Sequence, residues 1–257
     1  MPFLGRTSSA AIHLRAPCDN TVISGRSFRN LSTVAIIVEG CKNVTITQND
    51  FDATLGGVFA INSQNVVVTY NRFRNIGNGT IGSGKSNYVQ FNTVTGGAVS
   101  YNKGIGGNTE DLISIYKSSG TSTAPLIIEH NQLEGTDWTR TSGTGIIVGD
   151  GGGGNYVTVR YNRLLTPGQV GIQLINGTGI RVHGNTVYAA PRSPLTSTNV
   201  GMSSWEGSPN ADVYENRVRW YRNDGTQNPT WWGYGTIREL ANDWSAAIDP
   251  ETLRVRL

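Results

Sequence analysis

The sequence predicts an all-β, single-domain parallel β-helix, a rod built from repeated coils of the chain. The main observation is a short phrase that recurs along the chain, an Asn followed two positions later by a large apolar residue. Its copies begin at Asn49, Asn71, Asn92, Asn131, Asn162, Asn185 and Asn216, and residues 24–28 form a looser first copy. Such a repeat is typical of a solenoid, in which each coil can bury its apolar face only against its neighbours.

A second set of asparagines precedes the alternating apolar and polar runs. Its members are Asn20, Asn43, Asn65 and Asn87, with gaps of 22 or 23 residues. Stacked coils place equivalent residues about 4.8 Å apart, where side-chain amides can hydrogen-bond in a ladder. We therefore expect Asn43, Asn65 and Asn87 to lie in one line, and we assign the repeated asparagines a structural role.

Each coil also contains a second short apolar run that follows a Gly-rich loop. These runs are residues 57–61, 112–116, 145–148, 171–175 and 201–205. Short runs flanked by Gly and rich in β-branched residues predict strands rather than helices. Stacked in parallel, they predict a β-helix of about eight coils. Because solenoids grow by adding coils, residues 1–257 are predicted as one domain, with 218–257 as an irregular C-terminal cap.

Charge and hydropathy argue against two classes of partner. The formal net charge is +3, and the chain has neither a Lys/Arg run nor a nucleic-acid-binding motif. No stretch approaches the roughly 18 apolar residues of a membrane span. Residues 1–6 do not open a secretory signal, so we expect a removed signal or release by lysis. The predicted location is extracellular or virion-associated.

The two cysteines occupy equivalent places in successive coils. They stand in Cys18-Asp19-Asn20 and Cys41-Lys42-Asn43, so we expect their side chains to stack. Parallel neighbours fall within the Cα range of a disulfide, but side-by-side Cβ vectors are poor geometry for one. We therefore expect two small, buried, unreactive thiols, with a disulfide as the alternative.

The alternating runs, the Asn phrase and the following apolar strand resemble the right-handed parallel β-helix superfamily. That superfamily includes pectate lyases, polygalacturonases, alginate epimerases and many phage tailspikes, and the resemblance covers the whole chain. Residues 108–113 also resemble the Asn-Thr-Asp-Gly-Ile segment of polygalacturonases, but Glu110 and Asp111 depart from it. The chain lacks their Asp-Asp-Cys and Gly-His-Gly segments, so the polygalacturonase mechanism is not carried over.

Three coils exceed the plain length, and their surplus predicts loops that wall a cleft. The interval from Asn92 to Asn131 is 39 residues, and those beginning at Asn131 and Asn185 are 31 each. The surplus falls in residues 96–109, 134–144 and 189–199. Loops on a rigid solenoid are where binding and catalytic groups usually lie.

Polar residues beside these loops are the candidate catalytic groups: Glu110, Asp111, Asp137 and Arg140. Paired carboxylates from neighbouring coils could act as acid and base in glycoside hydrolysis. Alternatively, the carboxylates could hold Ca²⁺ while an Arg acts as the base of a lyase. The third interpretation is that Glu110 and Asp111 are solvated turn acids. We predict no dedicated metal site, and Ca²⁺ remains the one cofactor left open.

Candidate substrate-binding residues follow the second strands or lie in the loops: Trp138, Lys117, Asp150, Trp205 and Glu206. Lys117 and Asp150 should be lateral neighbours, for which a plain salt bridge is the alternative role. The flat apolar rings of Trp138 and Trp205 suit pyranose faces. Four other tryptophans are expected to cap the last coil: Trp220, Trp231, Trp232 and Trp244.

Two functions follow from these features. The first is an enzyme, a lyase or glycosidase that recognises and depolymerises an extended acidic polysaccharide. The second is a non-catalytic structural or receptor-binding β-helix of a phage tail or virion, for which a homotrimer or assembly into a virion is the expectation.

Overall fold

The computed structural model describes residues 10–77, 86–135, 143–191 and 199–257. Within these ranges the chain forms 24 strands and one short 3-10 helix, Pro250–Leu253. The strands are, in chain order, β1 (Ala10–Arg15), β2 (Val22–Ser24), β3 (Ser27–Glu39), β4 (Lys42–Thr47), β5 (Asp50–Ile61), β6 (Gln64–Thr69), β7 (Arg72–Ile76), β8 (Val89–Asn92), β9 (Thr95–Ser100), β10 (Lys103–Gly107), β11 (Asp111–Tyr116), β12 (Leu126–Glu129), β13 (Gln132–Glu134), β14 (Thr144–Asp150), β15 (Val157–Arg160), β16 (Arg163–Leu165), β17 (Val170–Leu174), β18 (Ile180–His183), β19 (Thr186–Ala189), β20 (Val200–Ser204), β21 (Asn210–Tyr214), β22 (Arg217–Trp220), β23 (Thr230–Trp232) and β24 (Thr236–Leu240).

These strands stack into three faces of a rod. Face A is a nine-stranded sheet in the order β2-β4-β6-β9-β12-β15-β18-β21-β24. Face B contains β7, β10, β13, β16, β19 and β22, and face C contains β1, β8, β11, β14, β17, β20 and β23. The long strands β3 and β5 run across both B and C. Because the chain visits A, B and C in turn and strand neighbours are parallel, the fold is the predicted single-domain, right-handed parallel β-helix of about eight coils.

The core is built from rows of matching apolar side chains, one from each coil. On face C one row joins Ile36, Val58, Val89, Ile113, Ile146, Ile172 and Met202, all buried. On face B, Phe28, Phe51 and Phe73 stack with ring centroids 5.1 and 4.8 Å apart. A fully buried side chain of this size contributes about 1.5–3 kcal/mol.

The Asn phrase forms a buried ladder at the corner between faces A and B. Its members are Asn49, Asn71, Asn102, Asn131, Asn162, Asn185, Asn216 and Asn242. Each of the first seven side-chain amides donates to the Oδ1 atom of the next Asn, for example from Asn49 to Asn71 at 3.0 Å, and the Asn242 amide donates to the Val213 carbonyl. Six predicted members are confirmed, but the prediction for Asn92 was wrong, because Asn92 pairs with Ile61 and Tyr116 on face C.

The second Asn set is only partly confirmed. The Asn43 amide donates to Asn20 at 3.1 Å and the Asn65 amide donates to Asn43 at 2.9 Å, all three with positive φ. The next place in this line is taken by Gly96, which also has positive φ. Asn87 precedes β8 on face C instead, where its carbonyl accepts from the Gly57 amide. Its expected alignment was wrong because the run that follows it is β8, a strand of face C and not of face A.

With this corrected register, residues 96–109 are not one of the long loops that were predicted to wall the cleft. Residues 96–109 hold most of β9 and all of β10, which belong to faces A and B. They are therefore regular coil and not a loop. The long coil runs instead from Asn71 to Asn102, and its surplus lies between β7 and β8.

The cysteine prediction was also wrong, because Cys18 and Cys41 form a disulfide with Cα atoms 5.3 Å apart. Neither residue lies in a strand. The expectation of side-by-side Cβ vectors holds for paired strands, whereas these residues stand in the bends that lead to face A. The bond joins the first two coils.

The segment 218–257 is less irregular than predicted. Strands β23 and β24 pair with β20 and β21, so the solenoid continues through this segment to Asn242. The final residues turn back along face B, where Leu253 and Val255 are buried. Glu134, only 4% exposed, receives hydrogen bonds from Arg254 at 2.7 Å and from the Val255 amide at 3.1 Å.

Candidate functional site

A groove of about 490 Å³ lies on the outer side of face C. Its floor is one outward-facing row, in which Ile147, Gln173, Ser203 and Trp231 are paired across β14, β17, β20 and β23. These positions alternate with the inward-facing core row, which is why a half-polar row runs beside an apolar one. From β11 to β23 the groove spans four strand spacings, or roughly 19 Å.

Acidic residues stand at both sides of this floor. Glu110 and Asp111 line the groove where β11 begins, Asp150 lines it at the last position of β14, and Glu206 lines it beyond the end of β20. Arg222 lies near the last coil. The groove therefore brings together residues from five coils that are far apart in sequence.

The pKa of Asp111 is strongly shifted by its surroundings. It is 8% exposed and opens a strand whose Ile113 and Ile115 face the core. Burial, and after it the negative charge of Glu110, raises the pKa of Asp111 to about 8. The Thr144 amide donates to its carboxyl at 3.1 Å, which opposes the shift without cancelling it. Asp111 therefore keeps its proton at neutral pH and can donate it.

Two tryptophans form an exposed aromatic surface at the other end of the groove. Trp205 is 54% exposed and Trp231 is 41% exposed. Their ring centroids are 5.3 Å apart with an interplanar angle of 43°. Exposed flat rings of this kind bind apolar faces of ligands, including those of sugar rings.

The structure places the predicted site residues as follows. Those that line the groove are Glu110, Asp111, Asp150, Trp205 and Glu206. Lys117 does not line it: its Nζ lies 5.3 Å from the centroid of the Tyr116 ring. Its amide donates to the Asp150 carbonyl at 2.9 Å, so the predicted adjacency of these coils is correct. Asp137, Trp138 and Arg140 lie outside the described residues.

Sequence reasoning missed part of the lining. Gln173 and Ser203 occupy polar positions inside apolar runs, and this alternation was a usable signal. Trp231 was expected only to cap the last coil, yet it also lines the groove. Of the other three, Trp220 is fully buried, and Trp232 and Trp244 pack against the core. Arg222 had no signal in the sequence.

Among the described residues, no group of three or more His, Cys, Asp or Glu side chains is arranged to hold a metal ion. No helix in the same ranges has the length and apolar character required to cross a membrane.

Comparison with known proteins gives a distant likeness. No family model and no curated protein matches the chain. Among solved structures, a mutant tailspike protein of E. coli bacteriophage HK620 in complex with a pentasaccharide matches 87% of this chain and 47% of its own, with 12% identity and a TM-score of 0.49. A second mutant of that tailspike, also with a pentasaccharide, matches 77% of this chain and 42% of its own, with 14% identity and a TM-score of 0.43. The chain thus spans less than half the length of either tailspike chain.

Proposed function

We propose that the groove on face C binds an extended glycan and that the protein hydrolyses it, with Asp111 as the proton donor. The observation that carries the proposal is a buried carboxyl whose pKa is raised to about 8, at the edge of an open groove that also holds an aromatic surface. A glycosidase needs one carboxylic acid to protonate the leaving oxygen and a second carboxylate to act as base or nucleophile.

The second carboxylate is one of the two acids whose charges act on Asp111, Glu110 or Asp150. The charges of Glu110 and Asp150 both raise the pKa of Asp111, so either carboxylate is a candidate for this role. Two carboxyl groups in different environments can have different pKa values, which lets one site supply both an acid and a base. Replacing this second carboxylate by its amide, as Glu110→Gln or Asp150→Asn, should therefore abolish turnover, as Asp111→Asn should.

Hydrolysis is favoured over a lyase reaction by the state of Asp111. A lyase needs a base that removes a proton next to a carboxylate group of the sugar, whereas Asp111 already holds its proton at neutral pH. Such a group is suited to protonate a departing glycosidic oxygen.

Release of reducing ends from a panel of purified polysaccharides tests this function. We expect product from the wild-type protein and a loss of about 100-fold or more in Asp111→Asn, the usual scale of general acid loss. Glu215→Gln changes an exposed acid outside the groove and should keep full activity. Full activity in Asp111→Asn, or no product from the wild type on the whole panel, would contradict the proposal.

A non-catalytic glycan-binding module is the second candidate. It is favoured by the 8% exposure of Asp111 and by the hydrogen bond to its carboxyl from Thr144, since both also suit a structural acid. Glycan binding by the wild type without product would support this candidate. The virion setting and the homotrimer remain predictions, which native mass spectrometry of the intact protein would test.

A further inference from the structure

Three side chains from neighbouring strands form a hydrogen-bonded chain at the edge of the groove. Asp111 opens β11, Thr144 opens β14 and Gln173 lies in β17. The Thr144 backbone amide donates to the Asp111 carboxyl at 3.1 Å, and the Thr144 hydroxyl donates to the Gln173 Oε1 atom at 3.3 Å. Asp111 and Thr144 are buried, whereas Gln173 is half-buried and lines the groove. Thr144 therefore connects the proposed proton donor to the groove floor.

The Thr144 hydroxyl faces two acceptors but has only one proton. Besides the Gln173 Oε1 atom, it is within hydrogen-bond reach of the Asp111 carboxyl. A hydroxyl donates one hydrogen and accepts through its lone pairs. When Asp111 is ionised, its carboxylate and Gln173 therefore compete for the same proton. When Asp111 is protonated, its own O–H group can donate to the Thr144 oxygen while the Thr144 hydroxyl donates to Gln173.

This competition favours the protonated form of Asp111, because only that form allows both hydrogen bonds to exist together. A buried hydroxyl and a buried carboxyl have little water to replace a missing partner, so the loss of one bond has a free-energy cost. The effect acts in the same direction as the burial of Asp111. It comes from an uncharged side chain, and it is separate from the charges of Glu110 and Asp150, the ionisable groups that act on Asp111 from β14 and from the residue before β11.

We propose that Gln173 is a positioning residue for the proton donor: by accepting the Thr144 proton, it turns the lone pairs of the Thr144 hydroxyl towards Asp111 and so holds Asp111 as a donor. This rests on the proposed function, in which Asp111 protonates the leaving oxygen. In this role Gln173 acts through Thr144 and not on the reacting atoms.

Titration of the Asp111 carboxyl by ¹³C NMR tests the proposal without a substrate. The Asp111 signal is the one that disappears in Asp111→Asn. Gln173→Met has a side chain of similar length without a carbonyl acceptor, so the Thr144 hydroxyl becomes free to donate to Asp111. We expect the pKa of Asp111 to fall by about one pH unit, the scale of one hydrogen bond to a charged group. Gln64→Met makes the same change at an exposed position of face A and should leave this pKa unchanged.

Two further variants show whether Gln173 acts through Thr144. Thr144→Val removes the hydroxyl but keeps the backbone amide that donates to Asp111. In that background Gln173→Met should have no further effect on the pKa of Asp111, because the group that connects the two residues is absent. Gln173→Glu keeps an acceptor oxygen and should not lower the pKa. An equal fall with and without the Thr144 hydroxyl would overturn the proposal.

Activity gives a second readout. A general acid must be protonated to act, so activity falls as pH rises through its pKa. In Gln173→Met the alkaline limb of the pH profile of kcat/KM should therefore move to lower pH by the same amount as the NMR titration. An unchanged pKa of Asp111 in Gln173→Met would overturn the role of Gln173, while loss of activity in Asp111→Asn would still support the proposed function. Full activity in Asp111→Asn would overturn the proposed function, and with it the role of Gln173.

Discussion

Replacing Asp111 by Asn should change how stability depends on pH, even before a substrate is known. Asn has the same shape but cannot ionise. The pKa of Asp111 is raised from 3.8 to about 8 by burial and by Glu110. Between these values the folded protein holds a proton that the unfolded chain has released, so the wild-type stability falls as pH rises.

The magnitude follows from the size of the shift. Each unit of pKa corresponds to about 1.4 kcal/mol, so the free energy of unfolding of the wild type should fall relative to Asp111→Asn by about 1.4 kcal/mol per pH unit. The trend should be present from about pH 4 to about pH 8 and flatten above pH 8.

Urea denaturation of both proteins at pH 5, 6, 7 and 8 would measure this difference. Glu215→Gln, which removes an exposed acid away from the groove, serves as the control and should track the wild type. A difference between wild type and Asp111→Asn that stays constant over this pH range would refute the assignment of a protonated Asp111, and with it the proposed proton donor.

Three further predictions concern the scaffold. Asn71→Ala should lower the free energy of unfolding by about 1–3 kcal/mol because it leaves buried ladder partners without a hydrogen bond. Asn65→Ala, in the exposed ladder, should lower it by less. Equal denaturation midpoints for these two variants would contradict the prediction. Cys41→Ser opens a crosslink with a sequence separation of 23 and should cost about 3 kcal/mol, so a midpoint unchanged from oxidised wild type would count against it. Glu134→Gln should release the C-terminal segment by weakening its bond to Arg254, visible as faster proteolysis near the C-terminus and absent if that segment is held by its apolar residues alone.

Most of the fold could be predicted because the phrase that marks each coil has a physical cause. A buried Asn at the A/B corner bonds the next coil, and the apolar residue two positions later fills the core. The phrase fails at Asn102, because Gly104 stands where an apolar residue is expected. The Tyr88 ring fills that place, stacked on Phe73 with centroids 5.4 Å apart, and a side chain on Gly104 would collide with it. Because the side chain that fills this place comes from another face of the rod, the local sequence around Asn102 does not reveal it.

The same coil produced the wrong register. Asn87 and Asn92 flank an alternating run that imitates the ladder phrase, but that run is β8 on face C. Sequence spacing alone could not separate these faces, because both carry strands with an apolar period of two. Counting that run as part of the ladder shifted the register of the next coil and placed a loop wall in residues 96–109, where β9 and β10 lie.

Part of the site could be predicted because acids at strand ends are conspicuous in an apolar repeat. Glu110, Asp111, Asp150 and Glu206 were selected on that basis, and all four line one groove. The burial of Asp111 could not be predicted, since it depends on the residues stacked beside it. Arg222 reaches the groove from the last coil, a position that the repeat pattern does not specify.

The stacking that makes this rod stable also explains why one acid is unusual. In the buried ladder each Asn meets another Asn, so every polar group finds its partner in the next coil. The row that contains Asp111 changes character along the axis, from Asp111 to Thr144 and then to Val170 and Val200. In this row the Asp111 carboxyl loses water, and its hydrogen bonds from Thr144 do not offset that loss, so its charged form becomes unfavourable. The proposed proton donor thus lies where one row of the repeat is broken, while the neighbouring rows hold its position.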